Sequence, residues 1–274
     1  MAMDGAPRIA LFGGLDPSGG AGLTLDAAVV AQAGGQPLPI TLAVTVQSLR
    51  GFQRFDAVAE ATVRDQFEAV LGDAAIAAVK VGFVPGADHA RLVAELIDTL
   101  RPSVPVIVDP ILSATAGGMQ RAAGELRRAY REFLVPRATV LTPNQPELDA
   151  LAGGDVGVLL DAGARFVLAK GGHGGDPQRV VDELWRSGGS GGSAPERFVR
   201  PRLDCGPVRG TGCALASRLA CLLGCRLARP PGSDGSSEDA DLAGACREAG
   251  VWLAGLLARV EKRADGLPST LPLA

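Results

Sequence analysis

The chain has 274 residues, a formal net charge of −3 and 47% hydrophobic residues. This length predicts a large domain with a substantial core, and the composition excludes a chain that is disordered throughout. The nearly balanced charge argues against a nucleic-acid partner, because such binding needs a basic surplus on one face.

Short apolar runs alternate with longer helical patterns, which is typical of βαβ units and a mostly parallel sheet. The predicted strands are, in chain order, Ile9–Gly13, Ile40–Val46, Ala78–Gly82, Val104–Asp109, Ala138–Thr142, Phe166–Lys170, Arg179–Trp185 and Arg197–Arg202. The predicted helices or helix starts are Gly22–Gln32, Thr62–Leu71, His89–Leu100, Gly124–Phe133, Glu147–Leu151, Gly212–Arg229 and Ala240–Lys262. We therefore expect an α/β fold with helices on both faces of a mostly parallel central sheet, plus late antiparallel strands.

Two segments rich in Gly and Ser, near residues 187–194 and 231–239, are predicted to be mobile loops. The first is expected at the tip of a hairpin between two late strands. The second follows Pro230 and Pro231, which end the preceding helix. Neither marks a clear domain boundary, so residues 1–274 are predicted to form a single domain.

The expected location is the cytoplasm. Residues 1–8 lack the basic-then-apolar order of a secretory signal, and the five cysteines contain no CxxC pair. Reduced thiols are the simplest interpretation of this cysteine pattern. Because no run reaches about 18 uninterrupted apolar residues, we expect no membrane partner.

A glycine-rich segment, residues 13–22, directly follows the first predicted strand. Its glycines superficially match a dinucleotide-binding loop. However, no acidic residue ends a clean second strand about 20 residues later, as such a site requires. A loop that lines a small-molecule pocket fits better, and a tight turn before a helix is the alternative.

Polar residues also follow later strands, at the edge of the sheet where α/β folds place ligands. Asn144 and Glu147 are three residues apart at a predicted helix start, so they can face the same side. A carboxylate there suits magnesium held through water, but taken alone helix capping is the favoured interpretation. Lys170 and Asp109 occupy the same kind of strand end.

The segment from Arg209 to Cys213 (RGTGC) is the strongest local feature, because it opens a long apolar helix. Its glycines permit close backbone approach, and free N–H groups at a helix start attract an anion. The same field is expected to favour the thiolate of Cys213. The alternative is a glycine-rich loop with a small packed cysteine.

Together, the segments resemble the ribokinase-like superfamily over residues 8–229. Within it they look like the hydroxymethylpyrimidine/phosphomethylpyrimidine kinases of thiamine biosynthesis. The matching motifs are GLDPSGGAG (14–22), TVQSLRG (45–51), KVGF (80–83), VDPIL (108–112), LTPNQPE (141–147), KGGH (170–173), VDELW (181–185) and RGTGC (209–213). This resemblance implies a three-layer ribokinase-like sandwich, ATP and Mg²⁺ as cofactors, a small pyrimidine alcohol and its monophosphate as substrates, and a homodimer.

The resemblance also implies a role for each matching residue. The implied catalytic residues are the base Cys213 and the anion hole Gly210, Thr211 and Gly212. The implied pyrimidine-binding residues are Gln47, Asp16, Ala21, Asp26 and Phe83. The residues implied for nucleotide and phosphate are Asn144, Glu147, Lys170 and Gly171, and those implied for magnesium are Glu147 and Asp109.

Departures from the family keep alternatives open. Arg209 stands where the family commonly has His, and Ala114–Gly117 replace a Lys-Ser-Gly segment. Arg209 either holds a phosphate oxygen or reflects the arginine-rich composition. The alternatives are a pyridoxal-type kinase of the same superfamily and a pyrimidine-binding protein with little catalysis. A sugar kinase fits less well, because those enzymes usually have Asp at the position of Cys213.

Overall fold

The structure, a computed structural model, describes residues 5–112, 120–188, 194–227 and 238–273. Within these residues the strands are β1 (Arg8–Leu15), β2 (Gln36–Ser48), β3 (Gly51–Ala57), β4 (Ala78–Val81), β5 (Val106–Val108), β6 (Val140–Leu141), β7 (Phe166–Ala169), β8 (Arg179–Arg186) and β9 (Glu196–Pro201). The helices are α1 (Gly22–Gln32), α2 (Glu60–Asp73), α3 (Ala87–Asp98), α4 (Gln120–Ala129), α5 (Gln145–Ala152), α6 (Val156–Asp161), α7 (Thr211–Leu227) and α8 (Glu238–Leu257).

The described strands form one sheet in the order β3-β2-β1-β4-β5-β6-β7-β8-β9. All pairs from β2 across to β7 are parallel, whereas β3 pairs antiparallel with β2 and β8 and β9 continue antiparallel from β7. The expected parallel sheet with late antiparallel strands is confirmed. The sequence analysis did not predict β3, because this edge strand has no buried residue and therefore no apolar alternation.

Helices cover both faces of the sheet and produce two hydrophobic clusters. In β1, Ala10 and Phe12 contribute to one cluster, which includes α2 and α3, while Ile9 and Leu11 contribute to the other, which includes α1, α7 and α8. Successive side chains of a strand point to opposite faces, so a central strand covered on both sides is apolar throughout. This arrangement is the three-layer sandwich that the resemblance implied.

Several boundaries differ from the prediction. Helix α6 was not predicted, and the predicted Gly124–Phe133 helix is α4, which continues as a π-helical turn over Tyr130–Leu134. The last helix begins at Glu238, inside the predicted loop, and ends at Leu257 rather than Lys262. None of the described helices is long and apolar enough to span a lipid bilayer.

Three of the predicted segments fall largely outside the described residues. Residues 189–193 and 231–237 of the two predicted loops lie there, as does the Ala114–Gly117 segment. On the described side of the first loop, Ser187 and Gly188 form a turn after β8, and β8 and β9 pair as the expected hairpin.

The carboxyl ends of the parallel strands position the polar residues. Asp16, Asp109 and Lys170 directly follow β1, β5 and β7, and Thr142 directly follows β6. Because these strands run parallel in one sheet, the four positions lie along one edge of it. This edge is where the predicted site residues converge.

Candidate active site

A cavity of about 330 Å³ opens at the carboxyl edge of the sheet. Its lining combines the loop after β1, the end of β2, the ends of β5, β6 and β7, and the start of α7. The predicted site residues that it brings together are Ala21, Gln47, Phe83, Asp109, Asn144, Glu147, Lys170, Gly210, Thr211, Gly212 and Cys213.

One end of the cavity is largely apolar. Phe52, Phe83 and Thr45 line it, and Phe83 is 6% exposed. The Phe55 ring supports Phe83 edge-on, at 5.1 Å between ring centroids. Thr45 turns its hydroxyl away as a donor to the Leu15 carbonyl at 2.8 Å. Walls of this kind suit a planar ring that needs only a few polar contacts.

The Gln47 side chain adds a polar group to the lining of this end, and Arg209 holds that side chain in place. Arg209 Nη2 donates to Gln47 Oε1 at 3.0 Å, and Arg209 Nη1 donates to the Ser48 carbonyl at 2.7 Å. Arg209 itself lines the cavity. The sequence left its role open, because the two residues are 162 positions apart and no local pattern connects them.

Glycines let the start of α7 pack closely against its neighbours at the cavity. Gly210 has φ +74°, and a side chain there would bring its Cβ to 2.3 Å from the Gly20 carbonyl oxygen. At Gly212 a Cβ would lie 3.0 Å from Lys170 Nζ and 3.8 Å from both Asp109 carboxylate oxygens. Gly210 therefore allows close packing against the loop after β1, and Gly212 lets the start of α7 approach Lys170 and Asp109. Free N–H groups at a helix start attract negative charge.

Cys213 lies in the first turn of α7 with 7% of its surface exposed. Burial raises the pKa of its thiol to about 12, although the Lys80 ammonium opposes the rise. The sequence analysis expected the field at the helix start to favour the thiolate, but burial shifts the pKa of Cys213 in the opposite direction. Desolvation of a buried thiolate outweighs the favourable field of the backbone and the lysine.

A charged cluster forms the opposite end of the cavity. Lys170 Nζ lies 2.7 Å from Asp109 Oδ1 and 3.8 Å from Glu147 Oε2, and Thr142 donates to Asp109 at 3.1 Å. Burial opposes ionisation of Asp109, but Lys170 and Lys80 hold its pKa below the ordinary value. Burial also raises the pKa of Glu147 to about 7, a change that Lys170 opposes and Asp109 reinforces.

Asn144 and Glu147 form the capping box that the sequence analysis offered as the alternative to a magnesium site. The Glu147 N–H donates to Asn144 Oδ1 at 2.9 Å, and the Asn144 N–H donates to Glu147 Oε2 at 2.8 Å. Both residues nevertheless line the cavity. A cap and a ligand-facing position are therefore compatible, because the box uses only Asn144 Oδ1 and Glu147 Oε2 and leaves the Asn144 amide nitrogen and Glu147 Oε1 outside it.

The donor set fits magnesium better than a metal held by protein ligands alone. The described residues contain no group of three His, Cys, Asp or Glu side chains placed to hold a metal. Asp109 and Glu147 are the two carboxylates that line the cavity. Magnesium is commonly held by one or two carboxylates together with water and substrate phosphates, so this pair is suitable.

Asp16 and Asp26 are absent from the cavity lining, contrary to the expectation that both line the substrate pocket. Asp26 is fully buried, where it accepts from Lys80 Nζ at 2.7 Å and from Ser217 Oγ at 2.8 Å. It therefore connects α1, β4 and α7 beneath the cavity. Asp16 is also fully buried, and its Oδ1 accepts from the N–H and the hydroxyl of Ser18.

Gly171 lies beside the cavity rather than on its wall. Its N–H donates to Asp182 Oδ1 at 2.8 Å, and the second Asp182 oxygen accepts from Arg200. Arg200 lines a smaller adjoining cavity of about 100 Å³, together with Lys170 and His173. The sequence analysis missed Asp182 and Lys80 as supporting residues, although the VDELW and KVGF motifs contain them.

Comparisons with known proteins agree with the motifs. A family model described as phosphomethylpyrimidine kinase matches residues 16–229. A hydroxymethylpyrimidine/phosphomethylpyrimidine kinase of Streptomyces coelicolor is 34% identical over 226 residues, which cover 78% of this chain and 80% of the relative. The thiamine biosynthesis bifunctional protein ThiED of Geobacter sulfurreducens is 34% identical over 222 residues, which cover 77% of this chain and 43% of that longer protein.

The fold is also found among solved structures. The pyridoxal kinase from Staphylococcus aureus in complex with ADP superposes with a TM-score of 0.78 and 19% identity. The superposition covers 97% of this chain and 93% of that chain. At this identity the likeness establishes the fold.

Proposed function

Because the chain belongs to the phosphomethylpyrimidine kinase family, we infer that it is an ATP-dependent kinase of thiamine biosynthesis. Its proposed substrates are 4-amino-5-hydroxymethyl-2-methylpyrimidine and the monophosphate that the first reaction produces. The observation that carries this proposal is one cavity lined by Gln47 at an apolar end, by Lys170 at a charged end, and by Cys213 at the start of α7.

The pyrimidine ring fits the apolar end, between Phe52, Phe83 and Thr45. Gln47 offers its carboxamide as a paired donor and acceptor to the ring nitrogen and the adjacent amino group. This placement directs the hydroxymethyl group toward Cys213 and the start of α7. The reacting oxygen then lies between the ring-binding end and the charged end, as phosphoryl transfer requires.

The nucleotide phosphates fit the charged end and the smaller adjoining cavity. Lys170 is shared by both cavities, and Arg200 and His173 line the smaller one. The N–H groups at the start of α7 are directed at the transferred phosphoryl group, where negative charge is distributed over its oxygens. Asp109 and Glu147 would hold Mg²⁺, which when bound neutralises phosphate charge and orients the phosphates for transfer.

In the first reaction the substrate oxygen forms a bond to the γ-phosphorus of ATP as the bond from that phosphorus to ADP breaks. The hydroxyl proton passes to the thiolate of Cys213. Because burial raises the pKa of Cys213 to about 12, the thiolate fraction is small at neutral pH and rises with pH. In the second reaction the acceptor is a phosphate oxygen that is already ionised, so it needs no base.

Turnover of ATP with each acceptor separately tests the proposal. The purified protein would be assayed with magnesium and with the pyrimidine alcohol, its monophosphate or pyridoxal. We expect turnover with both pyrimidines and little with pyridoxal. Turnover with pyridoxal alone would transfer the assignment to a pyridoxal-type kinase. Binding of the pyrimidine without turnover would instead indicate a binding protein.

A further inference from the structure

The contact between Arg209 and Gln47 determines which way the Gln47 carboxamide faces. A guanidinium group has five N–H donors and no acceptor. The Gln47 atom that lies 3.0 Å from Arg209 Nη2 must therefore be the carbonyl oxygen, and the amide nitrogen must point elsewhere. A flipped carboxamide would place N–H groups against N–H groups.

Arg209 is itself held in position at this contact. Its Nη1 donates to the Ser48 carbonyl at 2.7 Å, so two atoms of the planar guanidinium engage consecutive residues of β2. Its backbone N–H donates to the Ser269 carbonyl at 3.0 Å, which anchors the other end of the residue. Since the planar guanidinium is held through both Nη atoms and the Arg209 backbone is held as well, rotation of the arginine does not readily relieve a flipped Gln47 amide.

The fixed carboxamide presents a defined pattern to the cavity. Among the described residues no group accepts a hydrogen bond from Gln47 Nε2, so this donor is available to a ligand. The carbonyl oxygen has a second lone pair beside the one that Arg209 occupies. Gln47 therefore offers a donor at Nε2 and an acceptor at Oε1, and the two cannot exchange places while Arg209 is present.

We propose that Arg209 is a specificity-determining residue, which fixes the Gln47 carboxamide so that the cavity selects a ring with an acceptor nitrogen beside a donor amino group. The inference rests on the proposed function and deepens it. A 4-aminopyrimidine presents this pattern. The corresponding 4-oxo compound presents the reverse, an N–H beside a carbonyl, and therefore meets donor against donor and acceptor against acceptor.

The test compares two ligands that differ only in this pattern. The dissociation constants of 4-amino- and 4-oxo-5-hydroxymethyl-2-methylpyrimidine would be measured by calorimetry for wild type and for Arg209→Met. We expect wild type to prefer the amino compound at least about 100-fold, because a polar site strongly rejects a mismatched hydrogen-bonding pattern. In Arg209→Met the carboxamide can flip to suit either ligand, so the preference should fall about tenfold or more.

A matched control is Arg54→Met. Arg54 lies on β3, in the same hairpin, and forms an exposed ion pair with Asp56. It does not line the cavity, so its variant should keep the wild-type preference. Gln47→Glu is the second variant, because a carboxylate still accepts from Arg209 but offers the ring no donor. Its affinity for the amino compound should fall at least about tenfold.

The outcomes separate this inference from the proposed function. If Arg209→Met only loosens the site, binding of both ligands should weaken by the same factor and the preference should stay unchanged. That result would overturn the role of Arg209 alone. Wild type that binds neither compound would overturn the proposed function as well. A preference that falls in Arg209→Met and persists in Arg54→Met is the result that the inference requires.

Discussion

Replacement of Cys213 by alanine should affect the two phosphorylation steps unequally. The first acceptor is an alcohol that must lose a proton, whereas a phosphate monoester has a second pKa of about 6 and is ionised at pH 8. General base catalysis contributes typically about 10²- to 10⁴-fold. At pH 8 only a small fraction of Cys213 is thiolate, so this range is an upper bound. Cys213→Ala should lower the first step by at least about tenfold and change the second by less than about threefold.

The buried position of Cys213 also predicts the pH dependence. Because burial raises its pKa to about 12, the thiolate fraction rises about tenfold for each pH unit well below that value. The kcat/KM of the wild-type first step should therefore rise about 100-fold between pH 7 and pH 9, provided that chemistry limits the rate. In Cys213→Ala this slope should disappear.

The assay measures ADP release with each pyrimidine separately, from pH 7 to pH 9. Cys246→Ala is the matched control, because Cys246 is 2% exposed, lies in α8 and does not line the cavity. Burial likewise raises the pKa of its thiol to about 12. Equal losses in both steps of Cys213→Ala would refute the base, and Cys213 would then act through its position or charge.

Three further predictions concern residues around the cavity. Lys80→Met leaves the buried Asp26 carboxylate without its ion-pair partner. The free energy of unfolding, measured with urea, should therefore fall by about 3–5 kcal/mol. The double variant Lys80→Met/Asp26→Asn should be more stable than Lys80→Met alone. Burial raises the pKa of Glu147 from 4.5 to about 7, so the folded state binds more protons in this range. The free energy of unfolding should therefore fall by at most about 3 kcal/mol as the pH rises from 4.5 to 7. Glu147→Gln keeps the helix cap and should remove this pH-dependent contribution. Gly210→Ala should abolish most turnover and lower stability by more than about 1 kcal/mol, because Gly210 combines φ +74° with a clash at Gly20. Gly206→Ala, at φ +69° with its nearest other atom 3.7 Å away, carries the backbone strain alone, so equal effects of the two variants on turnover would contradict the proposed close approach.

Much of the architecture follows from the sequence alone. Strand β5 is apolar at every position, and β1 is apolar from Ile9 to Phe12, because helices cover both faces of the sheet. That pattern is visible without coordinates. The polar residues after β5, β6 and β7 then lie at one edge by the geometry of parallel strands. Most of the predicted site residues consequently line one cavity. The edge strand β3 escaped prediction because exposed residues impose no periodic pattern.

Only the tertiary structure decided what the polar side chains do. The family resemblance makes Asp26 a pocket residue, yet Lys80 from β4 reaches the Asp26 carboxylate in α1 and holds it below the cavity. Cys213 begins a helix, which favours a thiolate, but burial by distant segments raises its pKa. Arg209 reaches Gln47 across 162 positions of the chain. Local sequence specifies which residues face the sheet edge, whereas charge, desolvation and hydrogen-bond partners depend on residues that only folding brings within a few ångströms.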